Sequence, residues 1–442
     1  MRFGVLLGAL VGSALALPSS LNIVRNDGGS LEARPGPVKD MIVSKETTLN
    51  GTHTGPPITV PPKKSKTANS IPLPLSFVNN FDGPINAYLV GRCPNGAVCF
   101  IRGDGSITYP SSGGSGVPVP IPGDSIRIPV QRGQTLNFNL PVPINSARIY
   151  FAVGDLQFGM VATPVGDGLV QPAPNNPSDP SAGINFGFVE LNVDPNGTIY
   201  TNVSYVDFVG LVLGMQLQDN NGPTQTARGL RAGSVPAVCD DLRAQAQRDG
   251  YPWNRQCMTN SAGQVVRVLS PNSYASVDPN GFANYWNGYV NQVYSKYSSA
   301  PLTTRTQWGN IQCRANGNTM TCGGGDNLVY NKPTAADIWG CNSGPFANTG
   351  NDVHKANLAI LCAAFHRSTL LLNGGDTQPN LPSSSYYSSP PSNFYSLSVH
   401  NHELDGRGYA FPYDDVNPAG ENQSGTLASS NPRSLLIWIG GN

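Results

Sequence analysis

The sequence predicts a mainly β fold: a β-sandwich or barrel domain interrupted by a mixed α/β domain, with an open cleft between the two. Three observations carry this. Residues 74–230 hold short alternating apolar runs broken by Gly, Pro and Asn-Gly turns, the pattern of half-buried strands. From about residue 231 the apolar spacing lengthens to that of a helix. β patterning returns near the C-terminus, so the chain's end completes the first domain.

At the N-terminus, Arg2, an apolar run from Val5 to Leu15 and the small-x-small site Ala14-Leu15-Ala16 form an export signal, so residues 1–16 read as a signal peptide. The run is too short to span a bilayer and no later segment holds about 18 uninterrupted apolar residues, so no transmembrane helix is expected. A secreted, extracellular monomer is the expectation. Residues 17–71, rich in Pro, Thr, Lys, Ser and Gly without periodicity, read as a disordered leader or propeptide with Lys63-Lys64 as a processing site. An uncleaved flexible tail fits the same composition.

The β domain is assigned to residues 72–230 and 392–442. Its strands are typified by Ser125-Ile126-Arg127-Ile128-Pro129-Val130 and Leu136-Asn137-Phe138-Asn139-Leu140, then by Phe394-Tyr395-Ser396-Leu397-Ser398-Val399 and Leu435-Leu436-Ile437-Trp438-Ile439. The mixed α/β domain covers 231–391. There Phe282, Tyr285, Trp286, Tyr289, Val290, Val293, Tyr294 and Tyr297 recur at helical spacing, as a core stripe rather than a sugar platform. A second helix is expected over about Val353 to Arg367, with Asp352 as its N-cap.

Eight cysteines in an exported chain imply a disulfide framework. The spacing suggests the local pairs Cys93-Cys99, Cys239-Cys257, Cys313-Cys322 and Cys341-Cys362, although spacing alone leaves other connectivities open. No Cys-x-x-Cys occurs, His400 and His402 lack an evident third ligand, and no phosphate-cradling Gly motif is present, so no metal or cofactor is expected. Only 12% of residues are charged and the formal net charge is zero. That composition gives no electrostatic footprint for nucleic acid or an anionic membrane and suits a neutral polysaccharide. Sequons stand at Asn50, Asn196, Asn202 and Asn422, and those at Asn196 and Asn202 point to a surface location for their segment.

The chemistry is concentrated in two carboxylates. In Phe188-Val189-Glu190-Leu191-Asn192-Val193-Asp194, strand alternation sends Val189, Leu191 and Val193 to a core and lines Glu190, Asn192 and Asp194 on the opposite face. Asp207, in Ser204-Tyr205-Val206-Asp207-Phe208-Val209-Gly210, alternates likewise, sharing its exposed side with Tyr205. A pair of carboxylates is what glycosidic cleavage needs, and apolar walls would raise the pKa of one of them as a general acid requires. Asn192, Asp194, Tyr200 and Tyr205 are substrate-binding candidates, the tyrosines because aromatic faces stack on pyranose rings. Glu190 also reads as an ordinary solvated strand residue, and Asp194, before Pro195-Asn196-Gly197, as a turn former.

These segments resemble glycoside hydrolase family 64, the thaumatin-like β-1,3-glucanases, over roughly residues 72–442. The resemblance is carried by Ser76-Phe77-Val78-Asn79-Asn80, Ala147-Arg148-Ile149-Tyr150-Phe151, the Glu190 strand, Tyr205-Val206-Asp207-Phe208-Val209, Leu361-Cys362-Ala363-Ala364-Phe365-His366-Arg367-Ser368 and Gly408-Tyr409-Ala410-Phe411-Pro412-Tyr413-Asp414-Asp415-Val416, in family order. It implies a thaumatin-like β domain and an inverting β-1,3-glucan hydrolase with Glu190 as acid and Asp207 as base. It also makes Asp414 and Asp415 candidates for lining the cleft and binding sugar hydroxyls, although two such residues also read as organisers of a loop. A non-catalytic thaumatin-like glucan-binding or defence protein is the alternative, and it has no need of both carboxylates.

One geometric conflict follows. In a regular hairpin turning at Pro195-Asn196, Asp207 would lie opposite residue 184 or 185, roughly 17 to 20 Å from Glu190. Inverting hydrolases hold their carboxyl groups about 6.5 to 9.5 Å apart. Residues 195 to about 202 are therefore expected to be partly loop or bulge, with the carboxyl oxygens within about 10 Å in one cleft.

Overall fold

The structure, a computed structural model, describes residue 25 and residues 28–44, 47–50 and 71–442. The export signal and Lys63-Lys64 lie outside the described residues. The chain is mainly β, with one eight-stranded sheet, two of five strands, two of four, and six α-helices among the described residues.

An eight-stranded sheet carries the Glu190 strand. Across it run Leu427–Ser429, Ile199–Val203, Phe186–Val193, Ile144–Ala152, Ile85–Arg92, Val98–Ile101 and Ile107–Thr108, with Ile128–Val130 also pairing the Ile85 strand. The second sheet has five strands in the order Gln225–Ala227, Leu213–Asp219, Pro432–Ile439, Leu73–Asn79 and Thr135–Leu140. Its centre joins the C-terminal strand to Leu73–Asn79 in parallel. The two sheets bury their apolar faces against each other, where Phe77 meets Phe151 edge to face with ring centroids 4.9 Å apart.

Residues 234–402 supply the helices α1 (Ser234–Asp249), α2 (Pro271–Ala275), α3 (Asn287–Ser299), α4 (Ala335–Gly340), α5 (Asp352–His366) and α6 (Phe394–His402). A five-stranded sheet lies among them. The aromatic stripe from Phe282 to Tyr297 is buried as expected, although only its second half is helical. Helix α5 is capped one residue earlier than predicted: the Asn351 side chain, not Asp352, accepts from His354 N. The four cysteine pairs suggested by spacing are bonded.

Two expectations need correction. Phe394–Val399 is not a strand but the start of α6. Tyr395, Ser398 and Val399 are buried at helical spacing, the Asn393 side chain caps Ser396 N, and Ser398 donates to Asp241. His400 and His402 therefore diverge: His400 faces Asp414 and His402 faces Asp241.

The second correction concerns the leader, of which residues 28–44 and 47–50 are docked rather than free. Leu31–Glu32 runs parallel to Cys257–Thr259, and Leu31 and Ala33 are fully buried. Thr48–Asn50 pairs antiparallel with Gly166–Val170, placing Leu49 opposite Leu169. Short segments of this kind take their order from the surface that receives them rather than from local propensity.

Candidate active site

The sheet builds the site as a row. Arg148 pairs directly opposite Glu190, and on the other side of the Glu190 strand Asn202 pairs opposite Glu190. Directly opposed residues share a face, so the three polar side chains project together while Val189 and Leu191 enter the core. Tyr150 and Phe188, two residues further along this face, are buried, and the face opens to solvent at Arg148 and Glu190.

Asn202 Nδ2 donates to Glu190 Oε2 at 3.2 Å. Arg148 Nη2 lies 3.5 Å from Glu190 Oε1 and 3.7 Å from Asp207 Oδ2. The sum of those two distances is an upper limit on the separation of these oxygens, about 7 Å, which is inside the roughly 10 Å expected for one shared cleft. Behind the charges, the guanidinium lies over the Phe188 ring at 4.4 Å, Arg148 Nη1 donates to the Tyr150 hydroxyl, and that hydroxyl donates to Gln171. Burial works to lower the Arg148 pKa, but Tyr150, Asp207 and Glu190 more than offset it, and the cation is fixed. The apolar walls expected around the carboxylates are thus replaced by a shared guanidinium.

Asp207 reaches this row by a route the alternation pattern did not give. The hairpin is regular from Val193–Ile199 to Val189–Val203, so the expected loop or bulge at 195–202 is confined to the turn before Ile199. The break comes later. Ser204 N still bonds Phe188 O, but Leu211 N bonds Phe186 O, so the residues between them leave the ladder in a wide excursion with Asp207 near its middle. Gly210 closes the excursion because an added Cβ would sit 1.9 Å from Phe186 O.

The α/β region pins the excursion. Ser270 N donates to Asp207 O, Phe208–Val209 pairs with Val268–Leu269, and Tyr205 N bonds Tyr409 O. The Tyr395 hydroxyl of α6 donates to Tyr205 O at 2.6 Å. Asp207 therefore stands where the large sheet meets the α/β region.

The other candidates separate. Asn192 and Tyr200 line the pocket with Arg148, Glu190 and Asn202; Asn192 accepts from Ser146 N, and Tyr200 is 50% exposed. Asp194 sits at the hairpin turn, its carbonyl accepting from Gly197 N, and is not among the residues lining that pocket. Tyr205 is 2% exposed, so it is core, not a sugar platform. Its backbone has left the strand, and its phenol turns inward beside Glu403, where burial raises its pKa.

Asp414 is also no sugar ligand. It is fully buried between Arg367 Nη2 at 2.9 Å and His400 Nε2 at 3.1 Å, and it accepts from Ala410 N. Burial pushes its carboxyl pKa up, but His400, Arg367 and the Ala410 N–H more than offset that and hold it below the ordinary value. Asp415 stays exposed and accepts from the Tyr409 hydroxyl at 2.8 Å. Tyr409 has a raised pKa, chiefly from burial and Asp415, with a contribution from Glu190 that places it near the carboxylate row.

Sequence reasoning did not assign roles to Arg148, Asn202 or Tyr409. Arg148 and Tyr409 stood in segments that carry the family resemblance, and Asn202 was visible only as a sequon, so nothing local marked any of the three as a partner of the carboxylates. Among the described residues, the one cluster with metal-ligand geometry, Cys341, Cys362 and His366, is committed to a disulfide. No helix among the described residues is long and apolar enough to cross a membrane.

Comparison with known proteins identifies the family of the chain. The beta-1,3-glucanase family profile, glycoside hydrolase family 64, matches residues 71–439. A glucan endo-1,3-beta-glucosidase of Cellulosimicrobium cellulans is 29% identical over 391 residues, covering 84% of this chain, and one from Arthrobacter sp. is 27% identical over 385. The alignment spans 66% of the length of each of these relatives. A laminaripentaose-producing beta-1,3-glucanase solved with laminaritetraose superposes with a TM-score of 0.72 at 26% identity, covering 83% of this chain and 98% of that one. A family 64 domain from Clostridium beijerinckii, 24% identical, gives 0.67 and covers 83% and 97%, a likeness of fold. The match to the family profile extends over most of the sequence, and the chain belongs to the beta-1,3-glucanases of glycoside hydrolase family 64.

Proposed function

We propose that this protein is a secreted hydrolase of β-1,3-glucan that acts with inversion, in a cleft between a thaumatin-like β domain and an inserted α/β domain. Glu190 donates a proton to the departing glycosidic oxygen as the bond to the anomeric carbon breaks. Asp207 takes a proton from the water that attacks the opposite face of that carbon. One turnover leaves Glu190 ionised and Asp207 protonated, and solvent exchange restores both, since the side chains are 37% and 32% exposed.

The observation that carries the reading is the single Arg148 nitrogen in contact with both carboxylates, because it brings two groups far apart in a regular hairpin to one point of an open cleft. Arg148 restrains both side chains, and Asn202 fixes the Glu190 oxygen not facing Arg148. Tyr200 and Asn192, exposed beside Glu190, are suited to hold a pyranose ring by stacking and hydrogen bonding. A glucan-binding protein without catalysis has no need to bring both carboxylates to one cation.

The test is to incubate the protein with linear β-1,3-glucan, follow new reducing ends, and read the anomeric form of the first product by NMR. Release of the α-anomer is expected. The β-anomer would exclude Asp207 as the base acting on water, and binding without new reducing ends would favour the non-catalytic reading.

A further inference from the structure

Residues 28–50 lie outside the family match, which begins at residue 71, yet part of this stretch forms one wall of the candidate cleft. Leu31–Glu32 anchors it, with Leu31 and Ala33 in the core and Ala33 N donating to Thr259 O. Met41 then packs on Val161 and Val170. Finally Thr48–Asn50 adds an edge strand to Gly166–Val170, and Gln171 N bonds Thr47 O. This puts Thr48 and Leu49 on the same pocket as Arg148, Gln171, Glu190 and Asn202.

With this wall in place the cavity beside Glu190 measures about 350 Å³, near the lower end of the roughly 300–1,000 Å³ of small-molecule sites. A polysaccharide needs a groove that continues past the cleaved bond. We infer that Thr48 and Leu49 are specificity-determining residues: the strap formed by the N-terminal extension narrows the cleft, favouring short β-1,3-linked oligosaccharides over polymer. Its inner end is anchored in the core. Its outer end is held by three backbone pairs and a partly buried Leu49, so it is the part that local opening releases first.

The inference rests on Glu190 being the catalytic acid, and its test is built to separate the two. Two variants are made in the full chain. Leu49→Asp sets a charge against the apolar surface under the strap and releases its outer end, while Thr48→Trp adds bulk to the wall. Each is assayed on soluble β-1,3-glucan polymer and on a β-1,3-linked pentamer, with thermal melting to verify folding.

Leu49→Asp is expected to raise the polymer-to-pentamer ratio of kcat/KM by about tenfold, the lower range for one altered pocket contact, and Thr48→Trp to lower polymer cleavage by a similar factor. If Leu49→Asp does not fold, Thr48→Trp decides alone. Unchanged ratios in the folded variants overturn the inference. Absence of hydrolysis by the unaltered chain on both substrates overturns the catalytic reading instead.

Discussion

Replacing Arg148 with Met removes the shared cation while keeping an unbranched stem to pack on Phe188. The consequence can be sized from the geometry. At 3.5 and 3.7 Å, each ion pair is worth about 1 kcal/mol in water and about 4.6 kcal/mol at an effective dielectric near 20. The three side chains are 26%, 37% and 32% exposed, so screening places each pair toward the lower end, about 1–2 kcal/mol. At about 1.36 kcal/mol per tenfold change in rate, loss of one such contact from the reacting pair corresponds to roughly a tenfold fall in turnover.

Both carboxylates lose the contact that holds them at one point of the cleft, so turnover is expected to fall by about tenfold with a smaller change in KM. The assay is reducing-end release from linear β-1,3-glucan, with kcat and KM determined separately and melting curves as the folding control. A folded Arg148→Met protein with unaltered kcat would show that Arg148 does not position the pair.

Glu190→Gln and Asp207→Asn, near-isosteric changes at partly exposed positions, should each melt like the unaltered protein and lose at least about a hundredfold in turnover. Near-normal turnover by either removes that residue from the mechanism. Mass spectrometry of the active protein should find Asn202 without a glycan despite its sequon, because its amide nitrogen is bonded to Glu190, whereas Asn196 at the exposed turn is free of that constraint; full occupancy of Asn202 in active enzyme refutes the contact. Glu403 is buried beside Tyr205 with its pKa raised well above 4.5, chiefly by burial. The folded state therefore keeps a proton that the unfolded chain releases above about that pH, and stability falls with rising pH by up to about 1.4 kcal/mol per unit until the folded pKa is passed. Glu403→Gln should flatten the fall in melting temperature between pH 5 and 8, and a parallel fall in both proteins would place the charge elsewhere.

What could be read in the sequence was local. The Glu190 strand was legible because its apolar residues recur every second position, and the helix ending at His366 because apolar side chains recur at helical spacing. The cysteine pairs were legible as short loops. Where local rules met two answers, they failed: Phe394-Tyr395-Ser396-Leu397-Ser398-Val399 alternates like a strand, yet its serines allow close helix packing. Asn393, three residues before Ser396, was the cap signal that decided for helix.

The site itself was half legible, and the reason is the range of its contacts. Glu190 and Asp207 each stood out from their own segments, but Arg148 becomes their partner only through strand register, which pairs it with Glu190 across a connection no local pattern encodes. The same limit explains the exchange of roles between two tyrosines. Alternation holds through Val203, so Tyr200 lies on the open face beside Glu190; at Ser204 the chain begins to leave the ladder, so Tyr205 turns inward while Asp207 turns back to Arg148. A regular strand would have kept Asp207 far from Glu190. The departure from regularity that defeats the pattern is what assembles the pair, and its cause lies in the α/β region, where Val268, Leu269 and Ser270 capture the excursion.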